Sequence, residues 1–119
     1  MAKVLLLEDI HAVRLALSLT VEMFGHECIA PETPEHFERF LDEVDLVISD
    51  LTMPFVSGEQ VIERTRQLKP DLPILILTGN VENADQLVER LKQLGASDVA
   101  FKPVDIDELK AAMAPFLPH

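Results

Sequence analysis

Three stretches of the chain are apolar at nearly every position: Val4-Leu5-Leu6-Leu7, Val44-Asp45-Leu46-Val47-Ile48 and Ile74-Leu75-Ile76-Leu77. A strand with one face in water alternates apolar and polar residues, so unbroken runs mark strands covered on both faces. Helical spacing fills the intervals. Residues 11–24 place Ala12, Leu15, Ala16, Leu19 and Met23 on one stripe, and Gly25 supplies a stop. After a turn, residues 34–42 form a second helix, with Thr33 as its cap, Pro34 at its first position and Phe37, Phe40 and Leu41 inward. A third helix, over 59–68, turns Val61, Ile62 and Leu68 to the core. A fourth, over 82–94, carries Leu87, Val88, Leu91 and Leu94 and ends at Gly95. Asp105 caps a last helix bearing Ile106, Leu109, Met113 and Phe116, which stops near Pro118. Shorter strand patterns occupy 26–30 and 98–101. Five strands alternating with five helices require right-handed crossovers and a parallel sheet covered on both faces, an α/β architecture.

The strands deliver polar groups at their carboxyl ends. The first leads into Glu8-Asp9, the third into Asp50, the fourth into Thr78 and the fifth into Lys102-Pro103. Ligands of open α/β sheets bind beyond these ends, and an acid at the exit of a buried strand is costly unless its charge is needed there. Three carboxylates meeting at one edge repel, and a divalent cation relieves them. Oxygen donors completed by water describe Mg²⁺ rather than zinc. The expected ligands are Asp9 and Asp50 directly and the backbone carbonyl of Thr52, with Glu8 acting through water or by orienting Asp9. A carboxylate beside Mg²⁺ can also accept a phosphoryl group. Asp50, on the middle strand, is then the nucleophile, Lys102 the fixed positive charge and Thr78 the hydroxyl donor to a phosphoryl oxygen. Taken singly, each feature has an ordinary explanation: an acidic pair before a helix is often only a favourable dipole contact. Their arrival in order at one sheet edge is what points to a site.

Composition narrows the class. A chain of 119 residues with 48% hydrophobic content suits one domain over residues 1–119. No apolar run approaches the ~20 residues of a membrane span. The start, Met1-Ala2-Lys3, runs straight into a strand without room for a secretion signal, and the single cysteine, Cys28, fits a reducing compartment. The expected location is the cytoplasm. A net charge of −11 argues against nucleic-acid binding through a basic face and favours a partner with a basic or apolar docking surface. Cys28 reads as a small core residue, His11 as a solvent-facing residue in the first helical turn, and His26, His36 and His119 lack metal-ligand spacing.

These residues resemble the receiver domain of two-component response regulators. Glu8-Asp9, Asp50-Leu51-Thr52-Met53-Pro54 with Gly58 four residues on, Thr78 after the fourth strand, Gly95-Ala96 and Lys102-Pro103 carry the resemblance across essentially the whole chain. It implies a flavodoxin-like three-layer sandwich with strand order 2-1-3-4-5, the order of the chemotaxis receivers. It also implies phosphotransfer to Asp50 from the phosphohistidine of a histidine kinase or histidine phosphotransfer protein, and a downstream protein target. Such a domain is a signalling switch that promotes only its own phosphorylation and dephosphorylation. Thr52 and Asn80 flank the site and are expected to tune hydrolysis. The sequence departs from the family's pattern at Val99, where an aromatic stands three positions before the lysine, and at Gly79 and Val104. Transmission is therefore expected through loop and helix movement around 78–94.

Other readings compete. The end at His119, soon after the last helix, fits a stand-alone regulator or phosphorelay intermediate; a receiver module cut from a larger regulator or hybrid kinase would look the same. A Mg²⁺-dependent phosphohydrolase acting through Asp50 would resemble the haloacid-dehalogenase-like enzymes, but the second aspartate those enzymes carry is here Thr52. A flavin carrier would need a Ser/Thr-rich phosphate loop where Glu8-Asp9 stands. A receiver that binds without phosphorylation would not need the full set of acids, Thr78 and Lys102.

Overall fold

A computed structural model describes residues 1–79 and 82–117. Its strands are β1 (Lys3–Leu7), β2 (Glu27–Ile29), β3 (Leu46–Asp50), β4 (Ile74–Thr78) and β5 (Asp98–Phe101). All pair in parallel in the order β2-β1-β3-β4-β5. The helices are α1 (His11–Met23), α2 (Gly58–Leu68), α3 (Ala84–Leu94) and α4 (Ile106–Met113). The second helical segment is a 3₁₀ turn series over Phe37–Glu43, and another short one, Ala114–Phe116, follows α4. The flavodoxin-like order expected from the resemblance is thus present. Among the described residues no helix is long and apolar enough to cross a membrane.

The central strands bury both faces, as their unbroken apolar runs require. On one side Leu5, Leu7, Val47, Ile74 and Ile76 pack with Phe37, Val61, Ile62 and Leu91, which belong to the first 3₁₀ segment, α2 and α3. On the other, Val4, Leu6, Leu46, Ile48, Leu75 and Leu77 pack with Val21, Leu109 and Met113 of α1 and α4. Neighbouring residues of a strand point to opposite faces, so each run feeds both cores.

Four local expectations are corrected. The stripe expected to bury α1 faces outward: Leu15 is 51% exposed, Leu19 54% and Met23 69%. The buried side carries Val21, with Leu17 and Phe24 partly covered. Both stripes satisfy helical spacing, so periodicity alone could not choose between them. The second helix begins at Phe37 rather than Pro34, and its cap residue, His36, makes no side-chain capping bond; Thr33 and Pro34 remain in the preceding turn. Leu68, expected inward, is 56% exposed, while Thr65 takes the buried position. Ile106, expected inward on α4, is half exposed, and the helical stop expected at Pro118 lies outside the described residues. Asp105 does cap α4, its carboxylate accepting from the Glu108 N–H at 2.7 Å. Cys28 is partly buried against the α1 side of the core.

Candidate acidic site at the carboxyl edge of the sheet

The strand register brings the polar residues together. Leu7 of β1 lies beside Ser49 of β3, Asp50 beside Leu77 of β4, and Thr78 beside Phe101 of β5. The backbone ladder continues one step beyond the strands. Leu51 donates its N–H to the Leu77 carbonyl at 3.0 Å and Lys102 donates to the Thr78 carbonyl at 2.8 Å. Glu8, Asp50, Thr78 and Lys102 are therefore placed by the ends of the hydrogen-bonded strands. Gly58 serves the same edge: a Cβ there would stand 2.8 Å from the Leu51 Cα and 3.0 Å from the Asp50 carbonyl, so the first turn of α2 reaches the end of β3 only without a side chain. A capping box between Ser57 and Gln60 starts that helix.

Glu8, Asp9 and Asp50 each offer a carboxylate oxygen within 4.8 Å of the others. Lys102 reaches across from β5, its Nζ 2.7 Å from Glu8 Oε1 and 3.1 Å from Asp50 Oδ1. The Lys102–Pro103 peptide bond is cis. Glu8 is 1% exposed, and its second oxygen accepts from the Ile10 N–H at 3.4 Å. Both Glu8 oxygens are thus already engaged, which suits an indirect role toward a cation. Thr78 is buried beside the cluster. Thr52 follows Asp50 in the connecting loop, and among the described residues no hydrogen bond occupies its carbonyl. Asn80 lies outside the described residues.

One ammonium set against three carboxylates leaves two negative charges. Burial pushes the Glu8 carboxyl above the usual carboxylate range; the Lys102 hydrogen bond works the other way, and Asp50 raises it further. Burial opposes the charge on Lys102, but the Glu8 hydrogen bond and the Asp50 charge outweigh it and hold the ammonium above its ordinary value. A cup of hard oxygens with two uncompensated charges fits a divalent cation such as Mg²⁺. Carboxylate oxygens within 4.8 Å of one another could share one such ion.

One important side chain carried no signal in the sequence. Arg14 is 7% exposed. Its Nη1 donates to the carbonyls of Glu8 at 3.2 Å and Glu32 at 3.1 Å, and its Nη2 lies 2.8 Å from the Nδ1 of His11. An arginine near the start of a helix reads as a solvated charge. Here it ties the end of β1 to the segment after β2 and to α1. His11, expected to face solvent, is exposed but also belongs to this knot. Phe101, rather than Val99, is the cross-strand neighbour of Thr78; Val99 pairs with Ile76.

A family model described as the response regulator receiver domain matches residues 4–114. The response regulator protein FleR of Pseudomonas aeruginosa is 41% identical over 106 residues, 87% of this chain and 22% of its own length. The transcriptional regulatory protein KdpE of Staphylococcus aureus is 31% identical over 112 residues, 92% of this chain and 47% of its own length. The chain spans about a fifth and about half of the lengths of these two relatives. Among solved structures, the response regulator TrrA of Thermotoga maritima in complex with Mg²⁺-BeF superposes with a TM-score of 0.85 at 28% identity, covering 98% of this chain and 100% of that one. The strand order, the acidic cluster with its lysine and these matches lead to one conclusion: the chain belongs to the response regulator receiver domain family.

Proposed function

We propose that residues 1–119 work as one phosphoacceptor switch in the cytoplasm, in a two-component or phosphorelay system. Asp50 takes a phosphoryl group from the phosphohistidine of a histidine kinase or histidine phosphotransfer protein. An Asp50 oxygen attacks phosphorus, the phosphorus–nitrogen bond to the donor histidine breaks, and the imidazole leaves with the electron pair and takes up a proton. Asp9 and Asp50 would hold Mg²⁺ directly, the Thr52 carbonyl would complete the protein's share, and Glu8 would act through water or by orienting Asp9. When bound, the ion neutralises charge on a phosphoryl oxygen. Lys102 pairs with a second oxygen and the Thr78 hydroxyl donates to another. The domain acts on no outside substrate; it promotes its own phosphorylation and dephosphorylation and changes what it binds.

The observation that carries this reading is the Lys102 ammonium shared between buried Glu8 and Asp50. A lysine held between two acids at this edge supplies the fixed positive charge that a phosphoryl group on Asp50 would need. The neighbouring surface suits a protein donor. Ile10 and Leu15 are about half exposed, and a largely apolar groove of about 510 Å³ runs beside α1 between Ala12, Ala16, Leu77, Pro103 and Val104, with Lys102 at its wall. An amphipathic helix of a partner lays its apolar face in grooves of this kind.

Incubation with Mg²⁺ and acetyl phosphate should add one phosphoryl mass to the intact chain, and beryllofluoride should bind with Mg²⁺. Asp50→Ala should abolish both. Equal labelling of that variant would overturn the assignment of the nucleophile.

A further inference from the structure

The loop that leaves β3 contains a residue whose backbone is poorly matched to its side chain. Phe55 has φ of 71°, in the left-handed region that bulky residues avoid and that glycine or asparagine enters readily. The residue is 83% exposed, the most exposed large apolar residue after Met1 among the described residues. The surroundings hold it there. Val56 donates to the Pro54 carbonyl at 2.9 Å and Gly58 to the Leu51 carbonyl at 2.8 Å. Met53 and Val56, on either side of the Pro54-Phe55 pair, are buried at 8% and 1% exposure. Folding therefore gains neither backbone comfort nor buried area from a phenyl ring at this position. Strain of this kind, imposed by well-packed neighbours, collects where a side chain is used.

The ring also borders a groove of about 790 Å³ lined by Met53, Val56 and Leu94 together with Glu59, Glu63 and Arg90. Arg90 is taken up by Glu59 at 3.2 Å, so the groove presents apolar surface with acid left over. The chain as a whole carries a net charge of −11. An aromatic anchor beside such a rim matches a partner that offers an apolar socket flanked by Lys or Arg.

We propose that Phe55 is a docking anchor for the protein phosphodonor and sets which donors the chain accepts. The inference rests on Asp50 being the phosphoacceptor. Phe55 follows Asp50 by five residues on the same loop, so a protein that brings a phosphohistidine to Asp50 meets this ring as it closes over the sheet edge. A small donor such as acetyl phosphate does not. The ring works through docking alone and takes no part in the chemistry at phosphorus.

The test compares two donors across four proteins. Initial rates of phosphotransfer are measured from acetyl phosphate and from an autophosphorylated histidine kinase that labels the wild-type chain, for wild type, Phe55→Asn, Phe55→Gly and Phe55→Trp. Asn and Gly keep the left-handed backbone without the ring; Trp keeps a ring. Phe55→Asn and Phe55→Gly should lower kcat/KM with the kinase about tenfold or more, mainly through KM, as loss of an anchor does. Acetyl phosphate labelling should stay within about twofold and the thermal midpoint should not fall, because the backbone is relieved. Phe55→Trp should retain kinase transfer, and raising salt should raise KM for the kinase. Kinase transfer unchanged in Phe55→Asn overturns the proposal, and so does an equal loss with both donors, which would make the ring a support of the loop. If acetyl phosphate fails to label even the wild type, the reading of Asp50 falls instead.

Discussion

The carboxyl edge of the sheet and the outer face of α1 depart from the simple partition of residues in opposite directions. At the edge, Glu8 is 1% exposed and Thr78 3%, polar groups held where apolar ones would be cheaper. On α1, Leu15, Leu19 and Met23 lie half or more in water. Each departure has a cost: desolvation of a carboxylate in one case, unburied apolar area in the other. The edge offsets its cost within the molecule, through Lys102 and the Ile10 N–H. The α1 face has no such internal compensation. On the function proposed above, the buried charge belongs to the phosphoryl-transfer site and the exposed apolar surface of α1 to the docking of a protein donor.

The sharpest way to break this contrast is at Lys102. Lys102→Met should leave Asp50 able to bind Mg²⁺, with affinity equal or higher because a competing cation is gone. The phosphorylation-linked change in partner binding should fall by at least about tenfold. A loss confined to metal affinity would contradict the role given to the lysine. Next in size is a pair of leucines. Leu75→Ala, from the fully buried β4, should cost about 2–5 kcal/mol in urea unfolding, whereas Leu19→Ala should stay within about 0.5 kcal/mol and instead weaken transfer from a protein donor. Equal costs would show that α1 is packed as its sequence stripe suggested.

Arg14 sharpens the comparison from inside. Arg14→Met should destabilise by about 1–3 kcal/mol, since the buried Glu8 carbonyl and the Glu32 carbonyl lose charged donors. Arg14→Lys should recover little, because an ammonium cannot span both carbonyls and His11 in a planar fork. The smallest effect concerns pH. The folded state holds the Glu8 proton more tightly than the unfolded chain does, so ionising Glu8 costs stability without a metal. That cost is absent below the ordinary carboxylate pKa and complete above the raised one. Without Mg²⁺, Glu8→Gln should therefore be more stable than wild type at pH 7.5, with the gap shrinking as pH falls toward 4. A gap that widens on acidification would refute the direction. The raised Lys102 pKa acts elsewhere: its contribution is intact below the ordinary lysine value and lost only in strongly alkaline solution.

Much of this was legible in the residues. Unbroken apolar runs identify strands that need cover on both faces, and a parallel sheet puts all their carboxyl ends on one edge. Glu8, Asp9, Asp50 and Lys102 could thus be grouped before any distance was known, and the structure measures them within a few ångströms. Arg14 was not legible, because its burial depends on the segment after β2 folding back over α1. The tightening of residues 37–43 into a 3₁₀ segment was not legible either, since Phe37, Phe40 and Leu41 fit either helix.

By itself, the order of apolar runs and turn residues determined the layers, the strand positions and the edge at which the polar groups gather, because side-chain period and strand direction are local properties. Only tertiary packing decided which side of α1 meets the sheet. Two stripes share that helix at nearly equal helical spacing, and the sheet's second face accepts Leu17, Val21 and Phe24 while Leu15, Leu19 and Met23 stay in solvent. Only packing, too, decided that Arg14 lies inside, since that depends on the segment after β2 reaching over α1, and that Phe55 stands outward, since its neighbours Met53 and Val56 are taken into the core.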